Sequence, residues 1–519
     1  MLCSFAFNLN TCPLAHLNTS LDLQTIFKLN QLPAHHPTLK RLKRLLSGRE
    51  ISPAVWACQK NRWLALFKPL NLGIVYLNLP EIEAAKSREI NQAVFAALSA
   101  ASMLADAAKE QSELESLKLA ARKGSFRFIC VMPTIQCHLK CAYCHQSVRS
   151  YPSSSMTLRQ IDQSLRKCAE LCGNDHEFID ILFYGGEPMM AFHLTETIVK
   201  TVKHNRLFKL PVRFSFTTSG YKMTTSAADF LARHNVFVIV SLDGSPQTND
   251  KVRKQKDDSS FDTAKRAFDI LRNRKCRLGL SFTIGKHNHQ VIEDELHYLL
   301  KTMHPDDIGL NAFLHPIGDK KNPYQINAQE AFNSFLQGVE IVKSYGIYAE
   351  QPMRRLRPFV FRKPLLKDCS APGERLVLVP GGMIGFCDSF YFEGKYYYPI
   401  NDFPDHSHPD YQMWNNLSSV EMPLCSLCPA MTVCGGACRY DAYKASGTLH
   451  SADPMRCIFE LDFLHWMIWE LFSLSGNGNK LPYFLPTPAE RRLLLGKMDL
   501  HADKQPFTAG TYAGVPNCE

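Results

Sequence analysis

The sequence predicts an α/β protein: a partial (β/α)6 barrel, preceded by a small α+β region and followed by a cysteine-rich region. Three observations lead there. From Gly124 the chain repeats strand, loop and helix, and such alternation implies a parallel sheet with right-handed crossovers. Three thiols, Cys137, Cys141 and Cys144, follow the first of these strands at C-x-x-x-C-x-x-C spacing. A second cysteine set begins after the repeat stops near Pro352.

A chain of 519 residues should form two or three domains. Its 45% hydrophobic and 21% charged content is ordinary for a soluble globular protein. The 18 cysteines show metal-like C-x-x-C spacing rather than that of a small secreted disulfide scaffold. The start, MLCSFAFNLNTCPLAH, lacks a charged n-region and a long apolar core, so no signal peptide is read. No uninterrupted apolar run of about 18 residues occurs, so no membrane span is expected. The reading is a protein of the reducing cytoplasm. The formal charge of +10 counts metal-bound thiolates as neutral and gives little reason to expect nucleic acid.

Residues 1–50 are weakly patterned, and the basic piece from Lys40 to Leu46 reads as the solvated face of an amphipathic turn. Three strand-like runs follow between Ala54 and Leu79, separated at Asn61 and at Pro69 to Gly73. A helical stretch rich in Ala, Glu and Lys runs from Glu81 to about Leu117. In the repeat, the expected strands are Phe126–Met132, Ile179–Phe183, Arg213–Phe216, Phe237–Leu242, Arg277–Thr283 and Ile308–Phe313. The expected helices are Leu158–Leu171, Leu194–Asn205, Thr225–His234 and Phe261–Arg274. Chemistry in such barrels gathers on loops after the C-terminal strand ends, where the first cysteine triplet lies.

Three thiols at this spacing suit one iron–sulfur cluster. A [4Fe–4S] cube usually takes four thiolates, so three leave one iron open to a substrate or cofactor. A zinc site or a chance grouping is the plain alternative. The motif, with Tyr143 at its aromatic position, resembles that of the radical S-adenosylmethionine (radical SAM) family. The resemblance implies that SAM chelates the open iron, and that its reductive cleavage yields a 5′-deoxyadenosyl radical which abstracts hydrogen from substrate. Further matches fall at strand ends. Gly185-Gly186-Glu187-Pro188 is similar to the family's GGEP motif; its glycines suggest close backbone approach to a ligand, and its Glu an acceptor for the SAM amino group. Thr217-Thr218-Ser219-Gly220 stands where relatives often show T-N-G, with Ser219 replacing Asn. Ser241-Leu242-Asp243-Gly244 closes the fourth strand. Relatives continue to H-D-x-x-R; here Asp250 and Arg253 remain and the His is lost. Arg253 either pairs with the SAM carboxylate or forms a surface salt bridge.

The second set is Cys369, Gly382, Cys387, then Cys425, Cys428, Cys434, Cys438 and Cys457. Its spacing resembles the SPASM domain pattern, in which two auxiliary [4Fe–4S] clusters are held. By that resemblance Cys425, Cys428, Cys434 and Cys457 ligate one cluster, and Cys369, Cys387 and Cys438 the other, nearer the active site. Relatives that ligate the latter fully have a further Cys shortly before the first; Lys363 stands at that place here. That cluster therefore has an open iron or takes a ligand from elsewhere, such as Asp368 or a distant Cys. Asp388, directly after Cys387, is the candidate general base, the role of an Asp at this place in sulfatase-maturating relatives.

The apolar segment Ile458 to Leu474 is broken by Glu460, Asp462, His465 and Glu470 and reads as a packing helix. Cys3, Cys12, Cys58 and Cys518 read as plain thiols, and Cys168 and Cys172 as core. The expected organisation is 1–123 as an N-terminal region, 124–352 as a radical SAM partial barrel, 353–474 as a SPASM domain and 475–519 as a tail. The N-terminal strands and helices loosely resemble the recognition element with which peptide-modifying radical SAM enzymes hold a leader peptide by strand addition. The reading is a maturase that cross-links side chains of a ribosomally made precursor peptide, as a cyclophane or thioether. Its electron donor would be a flavodoxin or ferredoxin. The rivals are an anaerobic sulfatase maturase forming formylglycine and a non-catalytic iron–sulfur or zinc protein.

Overall fold

The computed structural model describes residues 26–32, 36–47, 49–85, 87–144, 154–256, 258–315, 322–476 and 482–498. Cys3, Cys12 and Cys518 lie outside them. The chain forms two compact units. The first joins the residues through Ala121 with Arg355–Asp368 and Ser418–Gly496; the second holds Arg122–Arg354 and Cys369–Leu417, with the chain from Lys497. These units cut across the linear segments expected above.

In the first unit, β1 (Phe27–Lys28), β2 (Trp56–Lys60), β3 (Trp63–Lys68) and β4 (Gly73–Asn78) form an antiparallel meander in that order. The breakers act as expected: Asn61 takes a left-handed φ of 54°, and the Asn71 Oδ1 accepts from Gly73 N at 2.9 Å. One face of the sheet packs Leu64, Leu66, Val75 and Leu77 against Val94 and Leu98 of the helix Arg88–Ala100. On the other, Trp63 and Tyr76 meet Phe472 with ring centroids 4.9 and 5.0 Å apart. Phe472 belongs to the helix Pro454–Leu474, so the apolar segment is a packing helix. Among the described residues no helix is long and apolar enough to cross a membrane. Lys68, buried at the end of β3, is matched by Glu110 and Glu113 at 3.6 and 3.4 Å. Tyr483–Phe484 pairs antiparallel with β4, and β1 covers Trp56 and Ala57 of β2. An added strand would meet an edge that is partly occupied on each side.

The basic helix, Pro37–Leu45, turns Lys40, Lys43 and Arg44 outward and buries Leu42.

The second unit contains β5 (Phe128–Val131), β6 (Leu139–Cys141), β7 (Ile179–Phe183), β8 (Val212–Thr218), β9 (Phe237–Ser241), β10 (Arg253–Gln255), β11 (Leu278–Ile284), β12 (Asp307–Ala312), β13 (Tyr348–Ala349), β14 (Arg375–Val379), β15 (Met383–Gly385) and β16 (Tyr397–Pro399). Its ten-stranded sheet runs β13-β12-β11-β9-β8-β7-β5-β14-β15-β16. All pairs from β13 to β14 are parallel. The six expected strands are β5, β7, β8, β9, β11 and β12, in order, as a partial (β/α)6 barrel requires. Three of their helices start where side chains satisfy free N–H groups: Thr157 and Gln160 form a capping box, and Thr224 and Ser259 each accept from a first-turn N–H of the helices Thr225–Arg233 and Ser260–Asn273. Three helices of twelve residues or more were not expected: Ile292–Met303, Ala328–Tyr345 and Glu350–Phe361. The first buries Leu296, Leu299, Leu300 and Met303, a helical stripe legible in the sequence. Nor was β14 expected beside β5. It places the start of the late cysteine region within the barrel sheet, with Val377 and Val379 packing on Phe128 and Cys130.

Candidate active site

The cysteine triplet is set by the end of β5 and by a short ribbon. After Pro133, Thr134 Oγ1 accepts from Gln136 N at 3.1 Å and donates to Ser154 O at 3.1 Å, which turns the chain. The ribbon then pairs β6 antiparallel with β10 in the register Leu139↔Gln255, Lys140↔Lys254 and Cys141↔Arg253. Alternation puts Cys141 and Arg253 on the buried face and Lys140 and Lys254 in solvent. Ala142 N continues the pairing to Val252 O at 2.8 Å.

The Gly185-Gly186-Glu187-Pro188 turn presses on the base of this loop. Gly186 N donates to Thr134 O at 3.0 Å and Glu187 N to Gln136 O at 2.7 Å. A Cβ on Gly186 would lie 2.1 Å from Gln136 O, and one on Gly185, whose φ is +115°, 2.9 Å from Met132 Cβ. The glycines were expected to admit a ligand; here they admit the cysteine loop itself. Glu187 is 2% exposed, and its oxygens accept from Thr218 Oγ1 at 2.6 Å, Met189 N at 3.0 Å, Ser219 N at 2.8 Å and Ser219 Oγ. Burial holds its carboxyl above the usual range against these four donors. The acceptor capacity expected for a ligand amine is thus already engaged within the chain. Ser219, the departure from T-N-G, makes two of those bonds. Pro188 opens the short turn Pro188–Ala191.

Asp243, at the end of β9, is the hub that the sequence reading did not single out. Fully buried, it accepts from Arg253 Nε and Nη2 at 2.8 and 3.2 Å, from Thr283 N at 2.8 Å and from the Tyr143 hydroxyl. Arg253 is therefore neither a surface ion pair nor an idle cation: it is buried on Asp243 and also meets the Cys141 thiol. Tyr143 is held at its hydroxyl, with its ring 5.8 Å from that of Phe313. Asp250, retained from the family pattern, instead anchors the next helix, accepting from Phe261 N at 2.8 Å and Ser260 Oγ at 2.7 Å. Glu295, from the helix Ile292–Met303, secures the loop after β9 by accepting from Ser245 Oγ at 3.0 Å and Thr248 Oγ1 at 2.5 Å.

These groups surround one cavity of about 490 Å³. Its lining takes in Cys137, Cys141, Cys144 and Tyr143 with Gly185, Gly186, Glu187, Thr218, Ser219, Ser241 and Arg253. Asp388 lines it too, beside Arg375, whose Nη1 donates to Asp388 Oδ1 at 2.7 Å. Arg375 Nε is fixed on Ser370 Oγ at 2.8 Å. Cys130 of β5 also faces the cavity. Arg375 and Cys130 were not expected; nothing local in the sequence marks them.

The described cysteines are all free thiols. Among the described residues no three or more His, Cys, Asp or Glu side chains are drawn together as ligands of a single ion. Of the late set, Cys425, Cys428, Cys434, Cys438 and Cys457 fall in the first unit, and Cys369 and Cys387 in the second. Burial pushes the Cys387 thiol up to about 12 and raises that of Cys434 well above its usual value. Cys434 is close to a buried ion-paired group: Arg355 donates twice to Glu460 at 2.6 Å and once to Asp368 at 3.1 Å. Asp368, considered as a cluster ligand, is thus engaged by Arg355. Cys58 and Cys168 are buried in the core, as plain thiols.

Fold and cavity define the class, and comparison with known proteins agrees. Residues 131–299 match the Radical SAM superfamily, so the chain carries a radical SAM domain. It is similar to the radical SAM cyclopropyl synthase TigE of Paramaledivibacter caminithermalis, 22% identical over 54% of this chain and 58% of that protein. It also resembles a cysteine-type anaerobic sulfatase-maturating enzyme of Clostridium novyi, 22% identical over 38% of this chain and 54% of that protein. The matched stretches thus span little more than half of these relatives. Among solved structures, native anSMEcpe with bound AdoMet has the same fold, with a TM-score of 0.57 at 18% identity. That likeness covers 67% of this chain and 99% of the other, well beyond the matched domain.

Proposed function

We propose that this protein is a radical SAM/SPASM maturase that modifies side chains of a ribosomally made precursor peptide by oxidative cross-linking, as a cyclophane or thioether, in the reducing cytoplasm. The cofactors of the reading are a SAM-binding [4Fe–4S] cluster, SAM and two auxiliary [4Fe–4S] clusters. The residues present fit the first of these: three soft thiols of one short loop front a common cavity, a donor set suited to iron–sulfur rather than to hard cations. Cys137, Cys141 and Cys144 would hold it. Bound there with SAM, it would supply the radical that removes hydrogen from an unactivated carbon.

The chain's own residues do the rest. The turn at Gly185 and Gly186 fixes the cysteine loop, Asp243 fixes Arg253 and Tyr143 beside it, and Glu187 ties the end of β8 to the cysteine loop. The single observation that carries the reading is that Asp388 lines the same cavity as the three thiols. A proton acceptor placed there suits a reaction that removes a proton as well as a hydrogen atom. Cys369, Cys387 and Cys438 would hold one auxiliary cluster and Cys425, Cys428, Cys434 and Cys457 the other, and such clusters would supply electron-transfer capacity.

Asp388 also favours a second reading, oxidation of a Cys or Ser of a sulfatase to formylglycine, and product mass separates the two. The test is anaerobic reconstitution, an iron and sulfide count, and addition of SAM with dithionite. About twelve irons with release of 5′-deoxyadenosine supports the reading. Zinc in place of iron, or full iron with no SAM cleavage, overturns it.

A further inference from the structure

The ribbon that carries Cys141 places two lysines directly opposite one another. Lys140 of β6 and Lys254 of β10 are a register pair, and both are exposed. Like charges directly across a ladder destabilise it, and among the described residues no ion pair relieves this one. Among the described residues, Lys140, Lys251 and Lys254 form no ion pair. Nearby carboxylates are taken: Asp250 by Ser260 and Phe261 N, Asp258 by Arg266 at 3.1 Å, and Asp243 by Arg253. Two further exposed lysines extend the patch. Lys251 stands at the end of the helix Pro246–Val252 that feeds β10. Lys222 lies over the Tyr221 ring, which itself packs on His138 of the cysteine loop with centroids 4.2 Å apart.

The opposite face of this ribbon is Cys141 and Arg253, which line the cavity. One layer of backbone therefore separates an uncompensated cationic surface from a thiol of the proposed cluster. A basic surface one backbone layer from the proposed cluster matches an acidic redox protein by charge complementarity, which speeds encounter and fixes orientation.

We propose that the face formed by Lys140, Lys254, Lys251 and Lys222 is the docking surface of an acidic one-electron donor protein, which reduces the cluster through the β6–β10 ribbon. One electron leaves the donor's reduced flavin or iron–sulfur centre and enters the cluster; no bond is made and no atom is transferred. The inference rests on the radical SAM reading of the site.

The experiment compares two reductants on the full-length reconstituted protein: reduced flavodoxin, an acidic flavoprotein, and dithionite. The readouts are the binding of oxidised flavodoxin to the protein, which both lysine variants should weaken, and the initial rate of 5′-deoxyadenosine release. In the variant K140E/K254E, the flavodoxin-driven rate at low salt should fall about tenfold or more, while the dithionite-driven rate stays within about twofold. The flavodoxin-driven rate of the native chain should fall steeply with added salt. K222E/K251E, which leaves the ribbon intact, should show the same selective loss. An unchanged flavodoxin-driven rate in K222E/K251E, or equal loss with both reductants there, overturns the proposal. So does an unchanged flavodoxin-driven rate in both variants with weakened binding to heparin, which would make the face a general anion surface. No release from the native chain with dithionite would instead defeat the radical SAM reading itself.

Discussion

Arg253 and Cys141 face each other across a two-strand ribbon, and the arginine's charge is balanced by Asp243 at 2.8 Å. The middle thiol of the triplet is thereby tied to the end of the fourth barrel strand. The rigidity of the site depends on this tie, because Asp243 also holds the Tyr143 hydroxyl.

Asp243→Asn should therefore do two things. It leaves a buried guanidinium without its counter-charge, which costs about 3–5 kcal/mol, and it loosens both neighbours of the triplet. The expected outcome is a lower thermal midpoint together with weaker SAM binding. Arg253→Lys, which keeps the charge but not the fork, should give a smaller loss of the same kind. Differential scanning calorimetry and SAM titration of the reconstituted protein check both.

Gly186→Ala puts a Cβ 2.1 Å from the Gln136 carbonyl oxygen, a backbone atom that can move only with the cysteine loop. The barrel should persist by circular dichroism, while SAM-dependent 5′-deoxyadenosine release falls by about tenfold or more for a misplacement of an ångström. An alanine variant with native activity would show that the loop absorbs the contact.

Ser219→Ala removes one donor to Glu187 and keeps the backbone N–H at 2.8 Å. A single lost hydrogen bond to a buried carboxylate is expected to cost about 1.5–3 kcal/mol. Ser219→Asn, which restores the pattern of relatives, supplies a donor again and should recover part of that loss. Chemical denaturation of the three proteins orders them.

Arg355→Met removes the buried guanidinium that Asp368 and Glu460 share beside Cys434, while Glu460 keeps Arg456 at 3.0 Å. The cost is about 3–5 kcal/mol, concentrated in the first unit. Hydrogen exchange should show lost protection in the helix Pro454–Leu474 ahead of the barrel strands.

Thiol alkylation offers a check by metal removal. Among the described cysteines of the apo protein, exposed Cys137 should react with iodoacetamide, slowly at neutral pH because burial holds its thiol up at about 12, while Cys58 and Cys168, at 1% and 0% exposure, stay unmodified. After reconstitution Cys137 should become protected. Mass spectrometry of tryptic peptides reads both states.

The sequence made the barrel legible because most of its strands are short, largely buried apolar runs between amphipathic helical stretches. Ile179–Phe183 and Leu158–Leu171 have the expected bounds. The cysteine triplet and the GGEP turn were legible for a similar reason, since their residues are neighbours in the chain. What was not legible depends on distance along it. Tyr143 and Asp243 are 100 residues apart, and Arg375 reaches the cavity only because β14 pairs with β5. Neither leaves a periodic trace. Gly185, Gly186 and Glu187 line the cavity, while their bonds to the cysteine loop and to the end of β8 left no trace in the sequence.

The pairing of Tyr483–Phe484 with β4 has a consequence for synthesis. A ribosome makes β4 some four hundred residues before its edge partner, a wait of roughly 20–80 s at ordinary elongation rates. Over that interval the Trp63 and Tyr76 face also lacks the helix Pro454–Leu474 that will cover it. The first part of the chain to emerge is thus among the last to be finished. A nascent sheet with an open edge and a bare aromatic face is a natural client for chaperones. Cutting the gene after the N-terminal helices should yield an insoluble fragment rather than a portable domain.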